Sequence, residues 1–343
     1  MLAVLSTFPT ACFAGVTPLR RQRVDRVAVV GGTHGNELLG VQIVNQLLRQ
    51  PDEAERSTFE TVCVIANPEA VAENRRYCTI DLNRCFDATA LQAAHSRRAE
   101  GVEPARAREL NEQLGPKGSA SPLVDMCLDV HTTTSSMGIS LMMAREDALA
   151  VELAAFLRRR VPSVRIVFWQ GSRATTPTLP SVSRSGMTIE VGALPQGVCT
   201  AESFHETRRL VRYALDWLDA RNRKLDAGTL RLRPVCVTAF QRVCEVPYPR
   251  DEDGELAALV HPTLQSRDFR PMRAHVPAFS RLHDGASLHI DADTWRAATA
   301  RRAWWAPRSP PLFPIFVNEA AYYEKDVAFV LAKKVKHVVD LDA

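Results

Sequence analysis

Apolar and polar positions along the chain keep two rhythms in turn, and the points where one gives way to the other outline a fold. Arg26-Val27-Ala28-Val29-Val30 is short and β-branched, and Gly31-Gly32 ends it. That predicts a buried strand running into a glycine turn. From Glu37 to Gln50 the apolar residues fall at 38, 39, 41, 43, 44, 47 and 48, the spacing of one helical face. The alternation continues with a strand at 61–66 stopped by Asn67-Pro68, a helix at 102–114 closed by Gly115-Pro116, and a strand at 123–130 ending at His131. A helix at 144–160, strands at 164–168 and 186–191, and a long helix at 201–220 follow. Strands alternating with helices as far as about residue 222 predict a three-layer α/β/α sandwich around a largely parallel sheet. After Arg223 the rhythm changes to short strand-like pieces at 235–240, 243–246, 256–260 and 313–317, separated by Pro, Asp and Gly. The chain therefore divides into an N-terminal extension (1–24), an α/β domain (25–223) and a C-terminal β-rich domain (224–343). The last carries an insertion near 286–312, where Trp295, Trp304 and Trp305 stand among Arg, Ala and Pro without a period and read as irregular surface.

Composition narrows the function classes. At roughly 150 residues per domain, 343 residues fit about two domains. With 46% apolar and 24% charged residues the chain is that of a globular protein, and no apolar run approaches the ~18 residues of a membrane span. The net charge is +4, and 37 of the 43 basic residues are Arg, spread along the chain among acids rather than gathered as a nucleic-acid binder gathers them. Neither nucleic acid nor membrane is expected as a partner. The eight Cys contain no CxxC pair, which removes zinc ribbons and thioredoxin-type sites, and their scatter suits a reducing, cytoplasmic compartment. Residues 1–24 hold no acid, so a mitochondrial transit peptide is the alternative to a plain extension.

Candidate chemistry lies at the predicted strand ends. In Gly31-Gly32-Thr33-His34-Gly35-Asn36-Glu37 the glycines permit a sharp turn, and His34 and Glu37 at H-x-x-E spacing can converge on a metal. His131 closes the apolar strand in Leu128-Asp129-Val130-His131, where open α/β sheets place ligand-binding groups, and Asp129 shares its face and can orient the imidazole. Alone, the first motif also reads as a turn with a surface His, and the second as a satisfied core His. Together, two His and one carboxylate are the ligand set of a catalytic zinc site, which acidifies bound water and polarises a carbonyl. Glu190, in the otherwise apolar strand end Thr188-Ile189-Glu190-Val191-Gly192, is a candidate general base, with a salt bridge to one of the many Arg as the plain alternative. Arg75, Arg76 and Arg84 are candidate anion binders, Arg76 also for a developing oxyanion. The paired Tyr322-Tyr323 after a strand can close over a pocket or simply pack.

Taken in order, GGTHGNELLGV, IANPEAV, RRYCTIDLNRCF, ELNEQLGPK, DVHTTTSSMG, IEVGALPQGV, YPRDEDGELAALVHPTLQSRDF and FVNEAAYYEK run from residue 31 to 325. The set resembles the aspartoacylase family of zinc amidohydrolases, which also includes the aminoacylase acting on N-acetylated aromatic amino acids. The resemblance implies a carboxypeptidase-like α/β domain, a β-rich domain that narrows access to the site, and a homodimer. It implies one zinc per chain on His34, Glu37 and His131, Glu190 as general base and acid, and Arg76 on the scissile carbonyl. It further implies Asn83 and Arg84 on the substrate's α-carboxylate, with Tyr322 reaching in from the C-terminal domain. Three positions depart from the family pattern. Pro180 stands where animal aspartoacylases carry an Arg for the substrate's side-chain carboxylate, with Arg173 or Arg184 as substitutes; Thr132 replaces an Asn and Ala193 a Pro. The expected reaction is hydrolysis of N-acetyl-L-aspartate to acetate and L-aspartate. Deacylation of N-acetylated aromatic or neutral amino acids is the alternative that Pro180 favours, and a non-catalytic metal-retaining binding protein is the alternative of another class.

Overall fold

A computed structural model of the chain describes residues 22–93, 101–169, 171, 174–299 and 311–342. The extension at 1–21, Arg173, and Trp304 and Trp305 of the insertion lie outside the described residues. The first half runs β1 (Arg26–Gly31), α1 (Leu38–Arg49), β2 (Glu60–Ile65), α2 (Pro68–Ala72), α3 (Ala88–Ala93), α4 (Val102–Leu114), β3 (Met126–Thr132), β4 (Gly138–Ala144), α5 (Ala148–Arg160), β5 (Arg165–Trp169), β6 (Ser185–Gly192) and α6 (Ala201–Asp226). The second runs β7 (Leu232–Pro247), β8 (Ala258–Val260), β9 (Phe279–Arg281), β10 (Ser287–Leu288), α7 (Ala292–Thr299), β11 (Phe313–Ile315) and β12 (Val327–Asp342).

Nine strands form one sheet in the order β11-β12-β7-β5-β4-β6-β3-β1-β2. β2, β1, β3 and β6 are parallel neighbours, and β4 lies antiparallel to β6. Apolar side chains of α1, α5 and α6 (Leu39, Ile43, Leu153, Leu157, Leu215, Leu218) pack with β1, β3 and β6 in one large core. On the other face Leu110 and Leu114 of α4 pack with Phe86 and Leu82 against Val30 and Cys127. That is the helix–sheet–helix layering expected from the alternating pattern. The order β6-β3-β1 matters most, because it sets three strand ends side by side.

The C-terminal region is β-rich, as expected, but its long strands extend the central sheet. β7 lies parallel to β5, and β12 pairs antiparallel with β7 from Val327–Pro247 to Asp342–Leu232. The two pieces expected at 235–240 and 243–246 are one strand. The polar Gln241-Arg242 between them marks a bulge, where partners shift from Cys244–Leu331 to Arg242–Ala332 and leave Val243 extra. β8, β9 and β10 form a small separate sheet. Within the supposedly irregular 286–312, residues Ala292–Thr299 form α7, and Trp295 is buried with Phe279, Ile290 and Leu331 in a core of its own.

α1 approaches the sheet unusually closely. A Cβ on Gly40 would lie 2.4 Å from Val130 O, and one on Gly31 would lie 2.1 Å from Gly40 O. This contact seats the start of α1, and with it His34 and Glu37, over the ends of β1 and β3. In an exposed helix Gly→Ala stabilises by about 1 kcal/mol. Here the sign should reverse: Gly40→Ala is expected to destabilise by about 1–3 kcal/mol through overpacking. Urea denaturation of the variant measures this, and a stabilised Gly40→Ala protein would contradict the close packing.

Candidate active site

Three side chains meet where β1 and β3 end. Gly32, at φ 68°, lets the chain turn out of β1, and Glu37 becomes the N-cap residue of α1. Its carboxylate makes no capping bond and faces the site instead. Glu37 Oε1 lies 2.6 Å from His34 Nδ1, and Oε2 lies 3.0 Å from His131 Nδ1. The two Nδ1 atoms are 3.2 Å apart. Thr132 N donates to Glu37 Oε2 at 2.9 Å. All three residues are at most 5% exposed.

Each imidazole has an acid behind it. Asp81 Oδ1 is 3.1 Å from His34 Nε2, and Asp129 Oδ2 is 2.8 Å from His131 Nε2. Thr33 Oγ1 donates to Asp129 Oδ1 at 2.8 Å and fixes that carboxylate in turn. A carboxylate on Nε2 holds a proton there and leaves the Nδ1 lone pair free to ligate. Both lone pairs and Glu37 then aim at one place, with donor atoms within 4.8 Å of one another. Two imidazoles, one carboxylate and ordered outer partners fit a divalent metal of borderline hardness. Without a metal, the charges of this group compensate one another. Burial pushes the Glu37 carboxyl up, but His34 and His131 together hold it well below the usual carboxylate range. Burial pushes His131 down, but Asp129 and Glu37 raise it well above an ordinary histidine.

Glu190 is placed by sheet register, which pairs it with His131 on β3 and with Ser140 on β4. Its carboxylate accepts no hydrogen bond among the described residues and lines the cavity. Burial pushes its pKa up to about 8; the charge of His131 opposes that rise, and Glu37 and Glu319 add to it. Arg76 sits across the ligand set, donating to Glu37 Oε1 at 3.1 Å and to Asp81 Oδ2 at 3.3 Å. Its Nε is buried without an acceptor, so it carries an unmet donor.

The cleft is about 1020 Å³ counting its open mouth. Asn83, Arg84 and Tyr322 line it together with the ligand set, Arg76 and Glu190. Asn83 lies 3.4 Å from His131 Nε2 through its Nδ2 and accepts from Leu179 N at 2.9 Å. The Arg84 side chain is 47% exposed and leans on Asp81 at 4.0 Å. Tyr322 packs on Phe316 with ring centroids 5.3 Å apart, and its hydroxyl is pushed up by burial and by the charge of Glu190. Pro180 lies buried in the wall of the cleft, along with Met142, Met143, Trp169 and Phe316. Arg184 is no substitute there, because it is engaged with Asp125 and with Arg23 O.

Two residues escaped the sequence reading. Asp81 is a hub that binds His34 on one oxygen and Arg76 and Lys325 on the other, the last at 3.0 Å. Glu319 fastens the C-terminal region to the loop after His131. Its Oε2 accepts from Thr134 N at 2.8 Å, Ser135 N at 3.2 Å and the Thr133 hydroxyl, while Oε1 caps the 3₁₀ turn that carries Tyr322. The local signal for either was an acid inside a motif already noted.

Buried acid–base groups at the carboxyl ends of adjacent strands put the protein among hydrolases, and comparison with known proteins narrows the class. Residues 23–218 match the succinylglutamate desuccinylase/aspartoacylase catalytic domain, and residues 236–334 match the AstE/AspA barrel-sandwich hybrid domain. The chain belongs to this family of deacylating enzymes. It is 37% identical to the human N-acyl-aromatic-L-amino acid amidohydrolase (carboxylate-forming) over 92% of this chain and 93% of that one. It is 35% identical to a probable aspartoacylase of Acaryochloris marina over 92% and 98% of the two chains. The crystal structure of murine aminoacylase 3 superposes with a TM-score of 0.82 at 34% identity, covering 94% of this chain and 99% of that one. No helix among the described residues is long and apolar enough to cross a membrane.

The state of Glu190 has a consequence for stability. Its ordinary value is 4.5 and its folded value about 8. The folded chain therefore holds a proton that the unfolded chain releases, and the group's contribution, intact below the ordinary value, is lost as pH rises toward the folded one. In metal-free protein, Glu190→Gln should gain thermal stability over wild type progressively across that window and level off above it. A difference in Tm that does not change with pH would contradict a buried, unpartnered carboxyl.

Proposed function

We propose that the protein is a zinc-dependent deacylase that cleaves the amide of an N-acyl-L-amino acid whose side chain is neutral or aromatic. The single observation that carries this is Glu190, a buried carboxyl of raised proton affinity, paired in register with a histidine of a His–Glu–His donor set. His34, Glu37 and His131 would hold one zinc, which supplies a Lewis acid for the carbonyl oxygen and acidifies water. Glu190 takes the proton of the attacking water as its oxygen bonds the acyl carbon. It then delivers a proton to the amine nitrogen as the C–N bond breaks, so that a carboxylate and a free amino acid leave. Arg76, with an unmet Nε–H, donates to the developing oxyanion. Asn83 and Arg84 receive the α-carboxylate, and Tyr322 closes the cleft from the C-terminal side.

The wall opposite these cations supports the choice of side chain. Met142, Met143, Trp169, Pro180 and Phe316 offer apolar and aromatic surface, and the guanidinium of Arg242 is engaged over the Trp169 ring at 4.9 Å to its centroid. A side-chain carboxylate placed against the Met142, Met143, Pro180 and Phe316 surface would lose its water. Likeness to the human amidohydrolase for aromatic substrates supports the same reading. N-acetyl-L-aspartate, the substrate first expected, remains the second reading, supported by the likeness to the probable aspartoacylase.

Two measurements test this. The kcat/KM for N-acetyl-L-tyrosine should exceed that for N-acetyl-L-aspartate by about tenfold to a hundredfold, the worth of an unmet charged hydrogen bond; a faster aspartate rate would reverse the assignment. Glu190→Ala should lower kcat by about 10²–10⁴ while leaving the bound metal in place. Undiminished turnover in that variant would remove Glu190 from the chemistry.

A further inference from the structure

The part of the cleft wall around Pro180 is built from a segment with little structure of its own. Thr176, Thr178, Pro180 and Ser181 line the cleft, and only a 3₁₀ turn at Leu179–Val182 orders this stretch. Backbone carbonyls in such a segment need partners from elsewhere. Three oxygens gather on one ammonium. Lys117 Nζ donates to Thr176 O at 2.5 Å, to Ser181 Oγ at 2.8 Å and to Phe86 O at 2.6 Å. Ser181 Oγ has its own proton for Thr178 O at 2.6 Å or Thr176 O at 2.9 Å, so the two ends of the segment are tied through one hydroxyl.

The same lysine joins this wall to the turn that presents Asn83 and Arg84. Phe86 follows that turn, its ring is fully buried, and its N–H donates to Pro177 O at 3.2 Å. Asn83 Oδ1 accepts from Leu179 N, again across the junction. Lys117 is itself fixed just beyond α4, where its N–H donates to Asn111 Oδ1 at 2.8 Å. The residue type is informative. Only six of the 43 basic residues are Lys, and an ammonium directs three diverging donors from one nitrogen, whereas a guanidinium spreads its five donors over three nitrogens in a plane.

We infer that Lys117 is a positioning residue that fixes the spacing between the α-carboxylate receptor and the side-chain wall, and so helps to decide which N-acyl-amino acids are accepted. The inference rests on the proposed reading of the cleft as the substrate site. The acceptors of Lys117 Nζ are Phe86 O, Thr176 O and Ser181 Oγ, so its loss acts first on the wall.

The test compares wild type, Lys117→Met and Lys117→Ala in metal-replete enzyme, on N-acetyl-L-tyrosine and N-acetyl-L-alanine. In Lys117→Met, KM for the tyrosine substrate should rise about tenfold or more while kcat stays within about threefold, and KM for the alanine substrate should change much less. Amide exchange should quicken over 174–182 and not across the sheet. Methylammonium should restore the lower KM in Lys117→Ala, and sodium chloride of equal ionic strength should not. An unchanged KM ratio between the two substrates overturns the inference. So does a parallel loss of kcat for both substrates with faster exchange throughout the chain. Wild-type enzyme inactive on every N-acyl-amino acid would sink the proposed function, and the exchange result over 174–182 separates that failure from a wall that does not depend on Lys117.

Discussion

Two imidazoles and a carboxylate buried within hydrogen-bond distance of one another form the constraint on which the rest of the structure depends. Water cannot solvate this group, so the protein must supply a partner for every polar atom. It does so with alternating charge. Asp129 and Asp81 stand behind the imidazoles, Thr33 behind Asp129, and Arg76 and Lys325 on the far oxygen of Asp81. Arg76 Nε and Glu190 are the exceptions. Glu190 is the carboxyl in this group that no side chain holds among the described residues, and burial leaves it with a proton to exchange. A donor set that fits a metal, with a transferable proton beside it, suits metal-assisted amide hydrolysis.

The fold serves that arrangement through strand order. β6, β3 and β1 are parallel neighbours, so Glu190, His131 and the turn bearing His34 and Glu37 emerge at one edge of the sheet. The Gly31–Gly40 contact then brings α1 down onto the strand ends. From the other side, two buried acids fasten the C-terminal region to the loop that follows His131. Glu319 takes the amides of Thr134 and Ser135. Asp268, pushed up by burial to about 6, takes those of Ser136 and Val317. The turn carrying Tyr322 and Lys325 is thereby seated over the cleft.

Much of this was legible in the chain because the site is built from strand ends. GGTHGNE, DVH and IEVG each combine a run of strand residues with a reactive group at its close, and position along the strand carries the message. The helix at 102–114 was equally plain, bounded by Gly101 and Gly115. What was hidden depends on distant pairing. β12 is recognised as a strand by its partner β7, about a hundred residues earlier, and the bulge at Val243 lay where one strand was read as two pieces until that partner was in place. β4 was missed: GISLMMA was assigned to no element, and the helix expected at 144–160 begins only after Asp147 caps it. Asp81 and Glu319 could not be singled out, since an acid acquires its role from the amides and rings folded against it. Trp295 looked irregular because its partners come from β9 and β12.

The most direct measurement of the central claim is metal content by mass spectrometry on purified wild-type protein and on His131→Ala. The account predicts about one zinc per chain in the wild type and essentially none in the variant, with the fold intact by circular dichroism. Equal metal in both proteins, or a fully active wild type that holds no metal, would contradict a His34–Glu37–His131 centre as the basis of the chemistry.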